Sequence, residues 1–248
     1  MKKWMLAALL AFAMAVCLLP AVVLADEQIT VTVSSTTSLQ EAVTQAASGS
    51  GGLDSVTNLK VVTTDGEVLT EEDFQFLSGV VVTETTDGRY SSTYAGADDS
   101  TLSITYLKNL EVLDLSDATC KDNAIPPRAF QSNSKITKII LPNNLERTYL
   151  HAFSMMKNLE YLGTSAGNLT FPASMKIMGE GMVYQCSNLE GELTLPSSLE
   201  AIGSSCFYQS GISGSVTIPA GVNINVNTDV NNDQYGPSAS IFNGTDIT

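Results

Sequence analysis

Leu195–Phe207, with the sequence LPSSLEAIGSSCF, contains the pattern from which the fold of this 248-residue chain is predicted. In this stretch Pro196 is followed 11 positions later by a large apolar residue, Phe207. Two earlier stretches have the same spacing, Pro142 with Phe153 and Pro172 with Val183. Matched residue types at a fixed interval indicate an internal repeat.

Successive apolar anchors define the period of the repeat. The spacings between them are 23, 30, 24 and 35 residues, and the anchors are Phe130, Phe153, Val183, Phe207 and Phe242. The basic period is therefore 23–24 residues, and the two longer units carry insertions at residues 163–168 and 223–236.

Each unit is predicted to consist of one strand and one return segment. Leu193–Leu195 and Val216–Ile218 alternate apolar and polar residues, which is the pattern of a half-buried strand. After the proline, apolar residues recur at wider intervals, which suits a turn of helix or irregular backbone. Because a single unit of about 23 residues cannot bury enough apolar surface to offset its loss of conformational entropy, the units must stack into a solenoid.

The stretch at residues 195–207 resembles the repeats of the BspA-like family of bacterial leucine-rich-repeat surface proteins, whose units combine Leu-Pro, Ser-Ser-Leu, Ile-Gly and Ala-Phe. The resemblance covers residues 107–248 and has two departures: Thr148-Tyr149 stands in place of Ile-Gly, and Val183 stands in place of Phe. It implies an α/β solenoid with an α+β N-terminal capping region, and it associates the protein with adhesion and surface display.

Three regions are predicted along the chain. Residues 1–25 contain two lysines, an apolar run and a Val-Leu-Ala ending, which is the pattern of a signal peptide, with a retained membrane anchor as the alternative. Residues 26–106 are assigned to the capping region, and residues 107–248 to the repeat array. We expect the array to be truncated, because its pattern stops without a closing segment and would leave the last coil exposed.

The capping region is predicted to contain four elements. Helices are expected over Leu39–Ala47 and over Glu71–Leu77, the second capped by Thr70, with a strand over Leu59–Val62 between them. A hairpin is expected around Asp87-Gly88, because that pair favours a tight turn between two strand-like runs.

Composition and charge restrict the possible partners. The formal net charge is −14, and residues 26–117 hold 16 acidic residues against three basic ones. Nucleic acid is excluded as a partner, because its binding depends on Lys and Arg neutralising phosphates. After the signal peptide no segment is apolar enough to span a membrane, so a secreted or cell-surface protein is expected.

Three motifs point to chemistry, and none has the companions that it needs. Gly163–Gly167 matches the G-x-S-x-G hydrolase elbow around Ser165, but the one histidine, His151, lies upstream and a strand follows. Ser154–Lys157 matches Ser-x-x-Lys without the other motifs of that enzyme class. Asp229–Asp233 resembles part of a calcium loop but lacks the glycine and the terminal acid. We therefore expect no catalytic residue, no cofactor and no metal, with His151 and Lys157 at the surface.

Three cysteines follow the signal peptide, namely Cys120, Cys186 and Cys206. Their spacings match no zinc motif, and an odd number cannot pair completely. Cys186 and Cys206 occupy equivalent core positions in adjacent units, so we expect buried thiols there, with a disulfide bridge as the alternative.

One row of outward residues remains as a candidate ligand-binding surface. Between the interior positions of successive strands, the repeat aligns Asp114, Ile140, Thr170, Thr194 and Thr217. The expected function is non-enzymatic binding of a protein or glycan macromolecule at the cell exterior, with self-association through the uncapped C-terminal coil as a further possibility. The alternative is a structural spacer or accessory repeat domain of a larger secreted protein such as a hydrolase.

Overall fold

The computed structural model describes residues 27–98, 100–226, 228 and 241–247. The predicted signal peptide at residues 1–25 and the calcium-like segment Asp229–Asp233 lie outside the described residues. Most of the second insertion, at residues 223–236, also lies outside them beyond its first strand.

The N-terminal region has the predicted helices and strand. Strand β1 (Ile29–Val33), helix α1 (Leu39–Ala47) and a 3-10 turn (Leu53–Ser55) precede strand β2 (Asn58–Thr63) and helix α2 (Glu71–Ser78). Both helices begin with a capping box, Ser38 with Glu41 and Thr70 with Asp73. In each box the side chains satisfy backbone N–H groups that the first helical turn leaves unpaired, so the local sequence fixes where each helix starts.

The predicted hairpin is also confirmed. Strands β3 (Val80–Glu84) and β4 (Tyr90–Tyr94) pair antiparallel, with Glu84 opposite Tyr90. The connection is five residues long, and Gly88 adopts a φ of 78° within it. A left-handed residue at this position is typical of such loops and explains the Asp-Gly pair.

The first repeats share one six-stranded sheet. Its order is β1-β2-β5-β7-β9-β10, where β5 is Val112–Asp117, β7 is Lys138–Ile140, β9 is Tyr161–Thr164 and β10 is Gly167–Asn168. All neighbours are parallel except β9 and β10, which form an antiparallel hairpin. The N-terminal strands therefore continue directly into the sheet of the repeats.

A second parallel sheet lies on the return segments, which corrects the prediction of one strand in each unit. Its order is β15-β13-β11-β8-β6. The strands are β6 (Ala124–Ile125), which follows a 3-10 turn at Lys121–Asn123, β8 (Arg147–Thr148), β11 (Ile177–Met178), β13 (Ala201–Gly203) and β15 (Asn223–Val226). Most of these strands are only two or three residues long, too short for an alternating pattern to reveal them.

In the later repeats the first strand does not lie where the sequence pattern predicts it. The observed strands are β12 (Gly191–Glu192), β14 (Ile212–Gly214) and β16 (Asp246–Ile247), which form a separate three-stranded sheet. The predicted strand Val216–Ile218 is wrong, because β14 ends at Gly214, whose φ of 87° takes the backbone out of the extended region. At Leu193–Leu195 only Thr194 makes a bridge.

A third ladder of backbone hydrogen bonds joins the turns of successive repeats. Alternate N–H groups of one repeat donate to carbonyls of the next, as in Arg128 to Leu150 (2.9 Å) and His151 to Glu180 (2.7 Å). We call the segments 128–132, 151–155, 181–185 and 205–209 the turn ladder. Its pattern depends on two left-handed residues in each turn, four positions apart: Arg128 and Ser132, His151 and Met155, Gly181 and Gln185, Ser205 and Gln209.

The core lies between the two sheets and the turn ladder. The interior residues of the six-stranded sheet, including Leu59, Leu113, Ile139 and Leu162, are fully buried. Anchor phenylalanines stack along the repeats, with ring centroids 5.5 Å apart for Phe130 and Phe153 and 5.3 Å apart for Phe207 and Phe242. Each repeat thus covers the apolar surface of its neighbour, as the length of the unit requires.

Candidate functional site

The predicted row of outward residues is divided into two pairs. Asp114 lies opposite Ile140 in neighbouring strands, but the next partner of Ile140 is Gly163 rather than Thr170. Thr170 instead forms a parallel bridge with Thr194. Thr217 is exposed and lies outside any strand of the described residues. The expected continuous row of five residues is therefore wrong, while its first pair and its second pair each exist.

The inserted hairpin β9–β10 is the physical reason for this division. Its two-residue turn is Ser165-Ala166, and a Cβ atom on Gly163 would lie only 2.3 Å from the carbonyl oxygen of Gly167, so glycine is required there. The Asn168 amide donates to the carbonyls of Glu160 (3.1 Å) and Glu190 (2.9 Å). Because β10 occupies the free edge of β9, the next repeat cannot extend the same sheet.

The first pair extends towards the N-terminus, through residues that sequence reasoning missed. Lys60 on β2 lies opposite Asp114, and Thr30 on β1 lies opposite Lys60. The Lys60 Nζ atom is 2.6 Å from Asp117 Oδ2 and 3.7 Å from Asp114 Oδ2. The hydrogen bond to Asp117 raises the pKa of Lys60 above its ordinary value. Asp114 is buried, and its carboxylate accepts a hydrogen bond from the backbone N–H of Ser116 (2.9 Å).

A parallel column of side chains lies beside this row on the same face. Register places Asn58, Val112, Lys138 and Tyr161 opposite one another, and each is half-buried. The Lys138 Nζ atom lies 4.6 Å from the centroid of the Tyr161 ring, the geometry of a cation–π contact. We call Lys60, Asp114, Lys138, Ile140 and Tyr161 the outer face.

The hydrolase-like motif lacks the geometry of its class. Ser165 is exposed on the turn of an antiparallel hairpin, whereas the catalytic elbow needs a turn from strand to helix. Ser154 of the second motif is fully buried, and Lys157 is exposed as predicted. Within the parts of the chain that the structure describes, no three His, Cys, Asp or Glu side chains cluster to hold a metal ion.

His151 is half-buried, so the prediction of a surface position is wrong. Its φ of 51° belongs to the turn ladder, and a Cβ atom on Gly181 of the next repeat would lie 2.4 Å from the imidazole ring. Burial, together with the positive charge of Arg128, lowers the pKa of His151 to about 4. The imidazole is therefore neutral at pH 7.

This pKa predicts a pH dependence of stability. The ordinary His pKa is 6.5, so the unfolded chain takes up a proton before the folded chain as the pH falls below 6.5. The free energy of unfolding that depends on neutral His151 is therefore lost between pH 6.5 and about pH 4. Between pH 7.5 and 5, we expect the wild type to lose about 1–2 kcal/mol more free energy of unfolding than His151→Asn. Asn tolerates the left-handed backbone. Urea denaturation at both pH values measures the difference, and equal losses would contradict the burial of the imidazole.

Cys120, Cys186 and Cys206, the three cysteines within the part of the chain that the structure describes, are all free and buried. The Cys186 thiol donates a hydrogen bond to the carbonyl of Phe153 (3.0 Å), and burial raises the pKa of this thiol to about 12. Burial also raises the pKa of Cys206. The prediction of buried thiols is confirmed, and the alternative of a Cys186–Cys206 bridge is wrong.

The backbone ladders and the stacked interior leucines and phenylalanines define a leucine-rich-repeat fold. Residues 105–168 match the sequence model of the family described as "BspA type Leucine rich repeat region (6 copies)". The predicted resemblance to BspA-type repeats is thereby confirmed over these residues.

Comparison with solved structures gives a leucine-rich-repeat protein of T. pallidum, at 18% sequence identity and a TM-score of 0.38. The similarity covers 64% of this chain and 64% of that chain, so it spans less than two thirds of the length of that protein. Comparison with curated proteins gives no match. No helix of the described residues is both long enough and apolar enough to cross a membrane.

Proposed function

We propose that this protein is a non-enzymatic binding protein of the bacterial cell exterior, whose repeats form a solenoid and whose outer face binds a protein or glycan macromolecule. Proteins with BspA-type repeats are typically bacterial surface or secreted proteins, and the signal-peptide pattern at residues 1–25 supports the same location. The N-terminal strands and helices would cap the first repeat.

One observation carries this proposal: the outer face presents charged and aromatic groups in fixed register on a sheet. The Lys60 ammonium is held by two carboxylates, and the Tyr161 ring is held beneath Lys138. Aromatic and cationic side chains are typical of binding hot spots, and a rigid sheet limits the entropy that is lost on binding. Because β2 adds Lys60 to this face, it is wider than the repeat residues alone.

The proposal predicts saturable binding that depends on the outer face. The full chain would be tested against immobilised arrays of glycans and of extracellular matrix proteins. We expect Tyr161→Ala and Lys138→Ala each to weaken the Kd of the tightest array member about tenfold, because each removes a central contact group. Lys157→Ala is the matched control, since it removes an exposed lysine from another part of the repeat.

Two outcomes would contradict the proposal. Binding that is unchanged in both outer-face variants would place the ligand elsewhere on the protein. The absence of saturable binding on either array would favour a structural spacer or accessory domain of a larger secreted protein.

The absence of enzymatic activity is tested at Ser165. We expect Ser165→Ala to leave array binding unchanged and the free energy of unfolding within about 0.5 kcal/mol, because the side chain is exposed on a hairpin turn. Hydrolysis of an activated ester should proceed at the same background rate with both proteins. A rate that falls in the variant would contradict the non-enzymatic assignment.

Self-association through the C-terminal repeat stays a prediction. The Ile224 side chain on β15 is 50% exposed and is the one large apolar side chain of the described residues with such exposure. A concentration-dependent mass in analytical ultracentrifugation that Ile224→Ser removes would support it.

A further inference from the structure

A cleft of about 300 Å³ lies away from the outer face, between the start of helix α2, the hairpin β3–β4 and the return segments of the first repeats. It adjoins a second pocket of about 150 Å³. The residues that line both are Glu71, Phe74, Tyr90, Pro126 and Pro127. Two adjoining pockets with a shared wall form one elongated groove.

The floor of the groove is apolar in both pockets. Leu69, Phe74 and Ala124 are buried beneath the larger pocket, and Val80 and Val82 line the smaller one. Binding sites for small ligands and peptide side chains combine such apolar floors with a few polar groups at the edge.

Tyr149 lines the larger pocket at a position where the repeat pattern is broken. Register along the second sheet aligns it with Gly179 and Gly203 of the following repeats. Those positions are glycine because a Cβ atom would lie 2.4 Å from backbone of the preceding repeat. Here the chain has an aromatic ring instead, which lies 4.0 Å from the Arg147 guanidinium and lines the same pocket as Pro126 and Pro127. The departure from Ile-Gly at Thr148-Tyr149 therefore coincides with the groove.

The rim of the groove is acidic. Glu71 and Glu72 lie in the first turn of α2, and Asp122 also lines the larger pocket. Lys121 is the one basic residue in the lining of either pocket. A rim with this charge, within a strongly acidic N-terminal region, attracts cations and repels acidic partners.

We propose that this groove binds an extended peptide segment of a partner protein, with apolar side chains in the two pockets and an adjacent Lys or Arg paired with the rim carboxylates. Two separate apolar floors suit alternate side chains of an extended chain better than a single flat sugar ring. The acidic rim selects a cation, which a neutral glycan lacks. The site goes beyond the proposed outer-face function and does not depend on it.

The test is panning of a displayed library of random 12-residue peptides against the full chain, followed by the Kd of the most enriched peptide. We expect enrichment of sequences that combine Lys or Arg with two apolar residues. We also expect that affinity to weaken about tenfold in Tyr149→Gly, which restores the residue of the other repeats, and in the double variant Glu71→Gln/Asp122→Asn. The double variant Glu111→Gln/Glu160→Gln removes two exposed carboxylates outside the groove and should leave the Kd unchanged.

Three outcomes would overturn the proposal: no enrichment of a basic and apolar motif, an unchanged Kd in the groove variants, or binding of a neutral glycan that Tyr149→Gly abolishes. The outer-face variant Tyr161→Ala should bind the enriched peptide like the wild type. This separates failure at the groove from failure of the proposed function.

Discussion

Replacement of Gly203 by alanine is expected to lower the free energy of unfolding by about 3 kcal/mol, because an added methyl group would overpack a close contact between repeats. The new Cβ atom would lie 2.4 Å from the Glu180 nitrogen and 2.6 Å from its Cα atom. Backbone cannot move aside as a flexible side chain could. The two repeats are also held together by hydrogen bonds on both sides, from Ala201 to Lys176 and from Gly181 to Ser204.

Gly49→Ala is the matched control for this prediction. No heavy atom lies within 4 Å of a Cβ atom built there, so the change should stay within about 0.5 kcal/mol. Urea denaturation of the two variants and the wild type gives the comparison. Equal stability of Gly203→Ala and Gly49→Ala would contradict the close stacking of the repeats.

Truncation of Phe153 to alanine is expected to lower the free energy of unfolding by about 3–5 kcal/mol. The side chain is fully buried and stacks on Phe130 with a centroid distance of 5.5 Å. Its loss opens a cavity in the middle of the core, which the turn ladder holds open because the Phe153 N–H donates to Met182 of the next repeat (3.0 Å). The surrounding repeats therefore cannot collapse into the space.

Phe153→Leu and Phe242→Ala are the controls for this prediction. Leucine keeps most of the buried volume and should cost about half as much or less. Phe242 is only half-buried, so its truncation should cost less than that of Phe153. Denaturant midpoints that rank Phe242→Ala as the more destabilised variant would show that the core is not centred on the phenylalanine stack.

Much of the fold could be predicted from residues whose spacing is local. Thr70 indicates the start of the second helix, because a cap acts within one turn. The interval of 11 positions from proline to the apolar anchor indicates the repeat. The short second sheet could not be predicted, since strands such as Arg147–Thr148 have no alternation of their own and are defined by their neighbours.

The outer face and the groove were harder to predict because they combine distant parts of the chain. Asp114 and Ile140 could be aligned from the repeat, but their neighbour Lys60 belongs to the region before it. Ser165 belongs to an insertion that folds back as a hairpin, and no periodic pattern predicts that this hairpin ends the sheet. The departure at Tyr149 was visible in the sequence, although only the tertiary structure places it in a groove.

The most direct test of the proposed function is amide hydrogen exchange of the full chain, alone and saturated with its tightest array member. We expect slower exchange in the strands of the outer face, because a bound macromolecule would cover them. These strands are Asn58–Thr63, Val112–Asp117, Lys138–Ile140 and Tyr161–Thr164. Unchanged exchange in these four strands, with protection confined to the turn ladder or to the groove around Tyr149, would contradict it.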